Sequence, residues 1–205
     1  LLDAISDLVP IDAENFKKEN GLNDKEIIAL LPGSREQEVE KMLSLMLSVR
    51  DSFKNYQFVI AGAPSLPKEF YQKFVDDDVH FVSNKTYDLL RCSKAALVTS
   101  GTATLETALL NVPEIVCYRT STISYEIGKR VVKNIKFISL VNLIMDREIV
   151  KELIQKELNT ENLVTELQKI LEGQKRDEML KNYELLREKL GGKGASEHAA
   201  EIIVN

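Results

Sequence analysis

The stretch that most limits what this chain can fold into is Ile27-Ile28-Ala29-Leu30-Leu31, an unbroken apolar run that enters Pro32-Gly33-Ser34-Arg35. A strand with one wetted face alternates apolar and polar residues. A continuous run therefore predicts a strand covered on both faces, as in a parallel sheet flanked by helices. Pro32 cannot donate to a ladder and Gly33 lacks a Cβ, so the strand stops there. Ser34 followed by Gln37 has capping-box spacing, which predicts that a helix opens at this turn. Val39, Met42, Leu43, Met46, Val49 and Phe53 recur at helical steps and carry the expected helix from Glu36 to about Lys54. Two readings fit the turn. It is an ordinary strand-to-helix connection, or an anion site where free N–H groups, the helix dipole and Arg35 meet phosphate oxygens. Its spacing matches neither the P-loop nor the dinucleotide fingerprint, so neither NTP hydrolysis nor a dinucleotide follows.

The strand-then-helix rhythm recurs. Strands are expected at Tyr56–Ala61, Val79–Val82, Ala95–Thr99 and Glu114–Tyr118, with helices at Pro67–Val75, Thr86–Arg91 and from Ser100-Gly101-Thr102 to about Leu110. This alternation predicts right-handed crossovers and an α/β, Rossmann-like parallel sheet flanked by helices, with extra helices at the C-terminal end. Ligands in such sheets bind beyond the carboxyl ends of the strands, where both glycine turns fall. After Arg119 the expected elements are helical: a basic stretch at Tyr125–Phe137, then Ile149–Leu158, Glu161–Leu171, Glu178–Leu190 and a last segment at Ala195–Val204. Leu1–Asn23 reads as a linker, and Leu1 in place of Met suggests a piece of a longer polypeptide.

Composition narrows the class. A net charge of −5 and a pI near 5.3 speak against a nucleic-acid partner. No apolar run approaches the roughly 20 residues of a bilayer span. Cys92 and Cys117 lack a partner motif and read as reduced thiols of a cytosolic protein. Asp76-Asp77-Asp78 reads as a solvated acidic turn rather than a metal motif, and no His or Cys spacing supports zinc. No metal and no cofactor are expected. His80 and His198 read as structural residues, and the basic side chains Lys129, Arg130, Lys133 and Lys136 as a solvated face or a contact for anionic lipid.

In the second glycine turn, Gly101 permits close backbone approach, Thr102 is placed to cap the helix and Thr104 offers a hydroxyl. Glu106, one turn in, has two readings: a carboxylate favoured by the helix dipole, or an acceptor for a vicinal diol such as a ribose.

Leu31-Pro32-Gly33-Ser34-Arg35, Ser100 to Glu106 followed by Ala108-Leu109-Leu110, and Pro113 to Arg119 stand in a recognisable order with Leu140-Val141-Asn142-Leu143 and Glu152-Leu153-Ile154-Gln155. That order and spacing resemble the C-terminal half of the lipid-A-disaccharide synthases. The resemblance implies the C-terminal domain of a GT-B glycosyltransferase. Residues 1–23 would be a linker from an absent N-terminal domain, 24–172 the UDP-sugar-binding domain and 173–205 a helical tail. It implies transfer from UDP-2,3-diacylglucosamine to 2,3-diacylglucosamine 1-phosphate, the acceptor and general base belonging to the absent domain. This half would bind donor without turning over alone.

Carried over onto this sequence, Gly33, Ser34 and Arg35 would hold the diphosphate, with Arg35 stabilising the leaving group. Ser100, Gly101 and Thr102 would face them, with Thr104 beside them, and Glu106 would take the ribose. Backbone at Val82 and Ser83 would read the uracil, and Asn142, Glu152 and Gln155 would face the sugar or diphosphate. Val141 and Lys151 depart from the family pattern, where proline is usual. A cytoplasmic location is expected, with room for contact at the cytoplasmic face of the inner membrane, and the apolar face of Ala195–Val204 leaves room for a homodimer. A UDP-N-acetylglucosamine 2-epimerase-like enzyme and a non-catalytic UDP-sugar-binding module are the alternatives.

Overall fold

The structure is a computed structural model that describes residues 5, 7–119 and 136–191. The expected segment Ala195–Val204 and the basic stretch as far as residue 135 lie outside the described residues. Six strands, β1 (Glu26–Leu31), β2 (Tyr56–Gly62), β3 (Val79–Ser83), β4 (Ser93–Thr99), β5 (Glu114–Tyr118) and β6 (Lys151–Ile154), form one parallel sheet in the order β3-β2-β1-β4-β5-β6. The chain runs outward one way from β1 and then returns to start the other way at β4. That reversal leaves a crevice beyond the carboxyl ends of β1 and β4.

The apolar run of β1 is covered on both faces. Ile28 and Leu30 enter one core, with Phe58, Ile60 and Leu97, against Val39, Met42 and Met46 of α2 (Glu36–Leu47). Ile27, Ala29 and Leu31 enter the other, against Leu89 and Leu90 of α4 (Thr86–Arg91) and Phe16 of α1 (Ala13–Glu19). The alternation follows the two-residue period of a strand. Helix α1, capped by Asp12 through the N–H groups of Glu14 and Asn15, thus brings residues before Asn23 into the second core. Between β2 and β3 lies the short helix α3 (Lys68–Gln72), whose Tyr71 is fully buried. After β4 comes α5 (Thr102–Leu109), and after β5 comes α6 (Leu140–Met145). Helices α7 (Thr160–Leu171) and α8 (Gln174–Lys189) pack Leu163, Leu167, Met179, Tyr183 and Leu186 into the first core, so α8 shares the core of the sheet.

Two expectations about the elements are corrected. The stretch expected as a helix at Ile149–Leu158 contains β6, paired from Ile115↔Lys151 to Tyr118↔Ile154. Lys-Glu-Leu-Ile is locally compatible with a helix, but the open edge of β5 supplies backbone partners, and pairing overrides a weak propensity. Helix α2 ends at Leu47 rather than near Lys54, where the Ser48 hydroxyl donates back to the Leu45 carbonyl at 2.7 Å. A short 3₁₀ turn, Arg50–Ser52, still delivers Phe53 to the core.

Glu114, the first residue of β5, is fully buried, and neither carboxylate oxygen has a partner among the described residues. Burial first, and the Glu152 charge second, raise its pKa well above the usual 4.5. The folded chain therefore holds this proton more tightly than the unfolded chain does. The stability it confers is complete below the ordinary carboxyl range and is lost as pH rises toward the raised value. Glu114→Gln cannot ionise. It is expected to melt with wild type at about pH 4.5 and above it by a margin that widens toward about pH 8. Thermal melts across that range check this, and a constant margin would contradict it.

Candidate functional site

Three loops enclose a cleft of about 400 Å³ at the sheet reversal, lined by Gly33, Ser34 and Glu38, by Ala61–Pro64, and by Thr99–Ala103 with Thr86 and Glu106. The first loop is shaped by Gly33, which has φ of +106°. A side chain there would strain the backbone, and its Cβ would lie 2.5 Å from Glu38 Oε2. The capping box expected from Ser34 and Gln37 does not form. Arg35, in extended conformation, is the N-cap residue of α2, and no side chain caps the helix. The Gly33 turn moves the helix boundary one residue past Ser34. As a result the N–H groups of Glu36 and Gln37 have no acceptor among the described residues.

The second loop is built the same way. Gly101, with φ of +150°, is the N-cap residue of α5, and again no side chain caps the helix. Thr102 is thus the first helical residue rather than the cap. Thr104 is fully buried and its hydroxyl donates to the Gly101 carbonyl at 2.9 Å, so it shapes the turn without reaching the cleft. The Ser100 hydroxyl donates to the Ile138 carbonyl at 3.1 Å. The open N-terminus of α5 thus lies in the cleft, and that of α2 stands beside it, its Glu36 and Gln37 lining an adjoining hollow with Glu38 shared between the two; open helix N-termini attract phosphate oxygens. At the cleft floor, Thr99 Oγ1 is buried without a partner among the described residues. The third loop is tethered. The Ala63 N–H donates to Tyr71 Oη at 3.0 Å, and Ser65 Oγ donates to the Ser34 carbonyl at 2.9 Å.

Of the residues singled out from sequence, the fold brings Gly33, Ser34, Ser100, Gly101, Thr102 and Glu106 to one cleft. Arg35 is exposed in an adjoining hollow of about 600 Å³ with Lys41, Tyr118 and Arg119, and Glu38 lines both. Val82 and Ser83 end β3, two strands from the reversal and outside the cleft wall. Asn142 and Glu152 take a different part from the one expected. Asn142 is fully buried. Its amide donates to the Val150 carbonyl and to Glu152 Oε1, both at 2.8 Å, and its oxygen accepts from the N–H groups of Ile149 and Val150. Glu152 also accepts from the N–H groups of Ile138 and Ser139 and from the Ser139 hydroxyl. Every donor and acceptor of the Asn142 amide is engaged with protein, so it has none to offer a sugar. Gln155 has a positive φ of 53°, and its carbonyl accepts from Arg119 at 3.0 Å.

Sequence reasoning did not single out Glu38, Thr86 or Thr99 in the cleft, or Tyr87, whose phenol donates to Glu106 Oε1 at 2.8 Å. Burial, then the hydrogen bond to Glu106 and its charge, push the Tyr87 pKa up to about 12, so the phenol remains a donor through the neutral range. Among the described residues no three His, Cys, Asp or Glu side chains gather to hold a metal ion, and Asp76 and Asp78 pair with Arg50 and Lys25. No helix of the described residues is long and apolar enough to cross a membrane.

Comparison with known proteins adds to this geometry. The chain is 37% identical over 203 residues to a lipid-A-disaccharide synthase from Persephonella marina, covering 93% of this chain and 53% of that protein. It is 34% identical to the same enzyme from Myxococcus xanthus, covering 95% and 53%. The chain thus spans about half the length of the curated relatives it matches. Among solved structures, the spinosyn rhamnosyltransferase SpnG superposes with a TM-score of 0.61 at 11% identity, over 89% of this chain and 46% of that one. Its complex with thymidine diphosphate superposes at 0.54. At such identity these matches speak to the fold, a Rossmann-like half of a GT-B architecture. The profile described as lipid-A-disaccharide synthetase matches residues 3–204, and with it the chain belongs to the lipid-A-disaccharide synthetase family.

Proposed function

We propose that this chain is the donor-nucleotide half of an inverting hexosyltransferase. The enzyme would move 2,3-diacylglucosamine from UDP-2,3-diacylglucosamine to 2,3-diacylglucosamine 1-phosphate and release UDP. The uncapped N-terminus of α5 in one cleft with Glu106, beside the uncapped N-terminus of α2 and Arg35 at the β1/β4 reversal, carries this reading. The open N–H groups of α2 and α5 meet the diphosphate, Glu106 accepts from the ribose hydroxyls, and the base extends toward the ends of β2 and β3. As the acceptor hydroxyl attacks the anomeric carbon, the bond to the UDP oxygen breaks and negative charge grows on the diphosphate. Fixed dipoles and Arg35 oppose that charge, so the chemistry calls for no metal here. The proton of the attacking hydroxyl goes to a base on the acceptor side. Both sugars would carry acyl chains, which fits an enzyme working at the cytoplasmic face of the inner membrane.

Calorimetric titration of UDP into the full-length protein, paired with mass-spectrometric detection of the disaccharide product, tests the reading. UDP binding in the micromolar range and product formation are expected. A flat titration together with no disaccharide would overturn it.

A further inference from the structure

Tyr87 stands on the second residue of α4 and reaches across to α5, where its hydroxyl donates to Glu106 Oε1 at 2.8 Å. The two residues have different exposures to the cleft. Glu106 lines it, whereas Tyr87 does not. Glu106 Oε2 has no protein partner among the described residues. One carboxylate oxygen is thus committed to the protein and the other is left for a ligand.

A glutamate side chain is flexible, and fixing it on binding costs entropy. A donor that fixes it beforehand lowers that cost and makes the site selective, because a held carboxylate cannot swing to compensate for a missing partner. Two hydroxyls of a ribose can share the free oxygen, whereas a 2′-deoxyribose offers only one. A carboxylate released from its tether would adjust to either sugar.

We propose that Tyr87 is a positioning residue for sugar recognition: it holds Glu106 through Oε1 so that Oε2 accepts from the vicinal diol of a nucleoside diphosphate, and it thereby favours ribo- over 2′-deoxyribonucleotides. The proposal rests on reading the cleft as a UDP site. It concerns a residue that touches neither the nucleotide nor the reacting atoms.

Titration of UDP and of 2′-deoxy-UDP into the full-length wild type, Tyr87→Phe, Glu106→Gln and the double variant tests it, with melting curves to establish folding. Wild type is expected to prefer UDP by about tenfold or more, the size of a hydrogen bond to a charged group. Tyr87→Phe should keep UDP binding but shrink that preference at least about threefold. Glu106→Gln should abolish the preference, and adding Tyr87→Phe to it should change nothing further. Tyr87→Gln, which keeps a donor of shorter reach, is expected to fall between wild type and Tyr87→Phe, and it replaces Tyr87→Phe as the decisive variant if the latter does not fold. A packing role would lower the melting temperature and leave the preference intact. If UDP binds and Glu106→Gln weakens it while neither Tyr87 variant alters the preference, this inference alone is overturned. If wild type does not bind UDP, the reading of the cleft falls and this inference with it.

Discussion

Glu152→Gln is expected to lower the melting temperature by about 6–12 °C, the effect of losing roughly 3 kcal/mol in a chain of this size. Glu152 Oε1 accepts from the Ser139 N–H at 3.0 Å, from the Ser139 hydroxyl at 2.7 Å and from the Asn142 amide at 2.8 Å, while Oε2 accepts from the Ile138 N–H at 2.9 Å. A glutamine must place an NH₂ group where one of these oxygens stood. In either orientation a donor then faces a donor in a buried site, and the remaining bonds lose their charge assistance. The damage also reaches the cleft. The segment that Glu152 holds includes Ile138, whose carbonyl receives the Ser100 hydroxyl. The variant should therefore weaken UDP binding as well as melt early, although Glu152 does not line the cleft. Differential scanning calorimetry and nucleotide titration on the same preparation check both parts. An unchanged melting temperature would show that the cluster is not what secures this segment.

The parts of this fold that were legible in sequence are those dictated by local pattern. The apolar run of β1, the helix Thr86–Arg91 and the strand Glu114–Tyr118 were readable because burial on two faces, or on one helical stripe, leaves a periodic trace. The strand β6 left no such trace, since four residues at a sheet edge have no period of their own and take their state from β5. Within the site, the two glycine turns were legible because backbone demands select residue types. How each helix is capped was not, because Gly33 at φ +106° and Gly101 at φ +150° set the N-cap residues by backbone geometry rather than by side-chain capping. Asn142 and Glu152 stand out as polar residues among apolar ones, yet that pattern fits a ligand contact and a buried structural cluster alike. Only the closed set of hydrogen bonds separates the two. Tyr87 carried no signal, because its meeting with Glu106 depends on how α4 and α5 pack.

In the proposed transfer reaction, Arg35→Ala is expected to lower kcat by about 100-fold while weakening UDP binding by about tenfold or less. Arg35 is exposed, and its guanidinium makes no ion pair or hydrogen bond among the described residues. It stands with Lys41 and Arg119 in the hollow beside the cleft, joined to it through Glu38. In the open protein, water screens its attraction for a bound diphosphate, so its contribution to ground-state affinity is modest. On the proposed reading, as the bond to the UDP oxygen breaks, charge would build on the leaving oxygen with water displaced by the acyl-sugar substrates, and the same guanidinium would act in a lower dielectric. The loss should therefore fall on kcat. Glu106→Ala should behave in the opposite sense, because ribose hydroxyls carry the same charge before and during transfer. It should raise KM for the donor by about tenfold or more with a smaller change in kcat. Steady-state kinetics on the full-length enzyme with both variants, alongside UDP titrations, separates the two effects. Parallel losses in affinity and kcat for Arg35→Ala would make it a binding residue like Glu106 and shift the task of opposing leaving-group charge to the open N–H groups of α2 and α5.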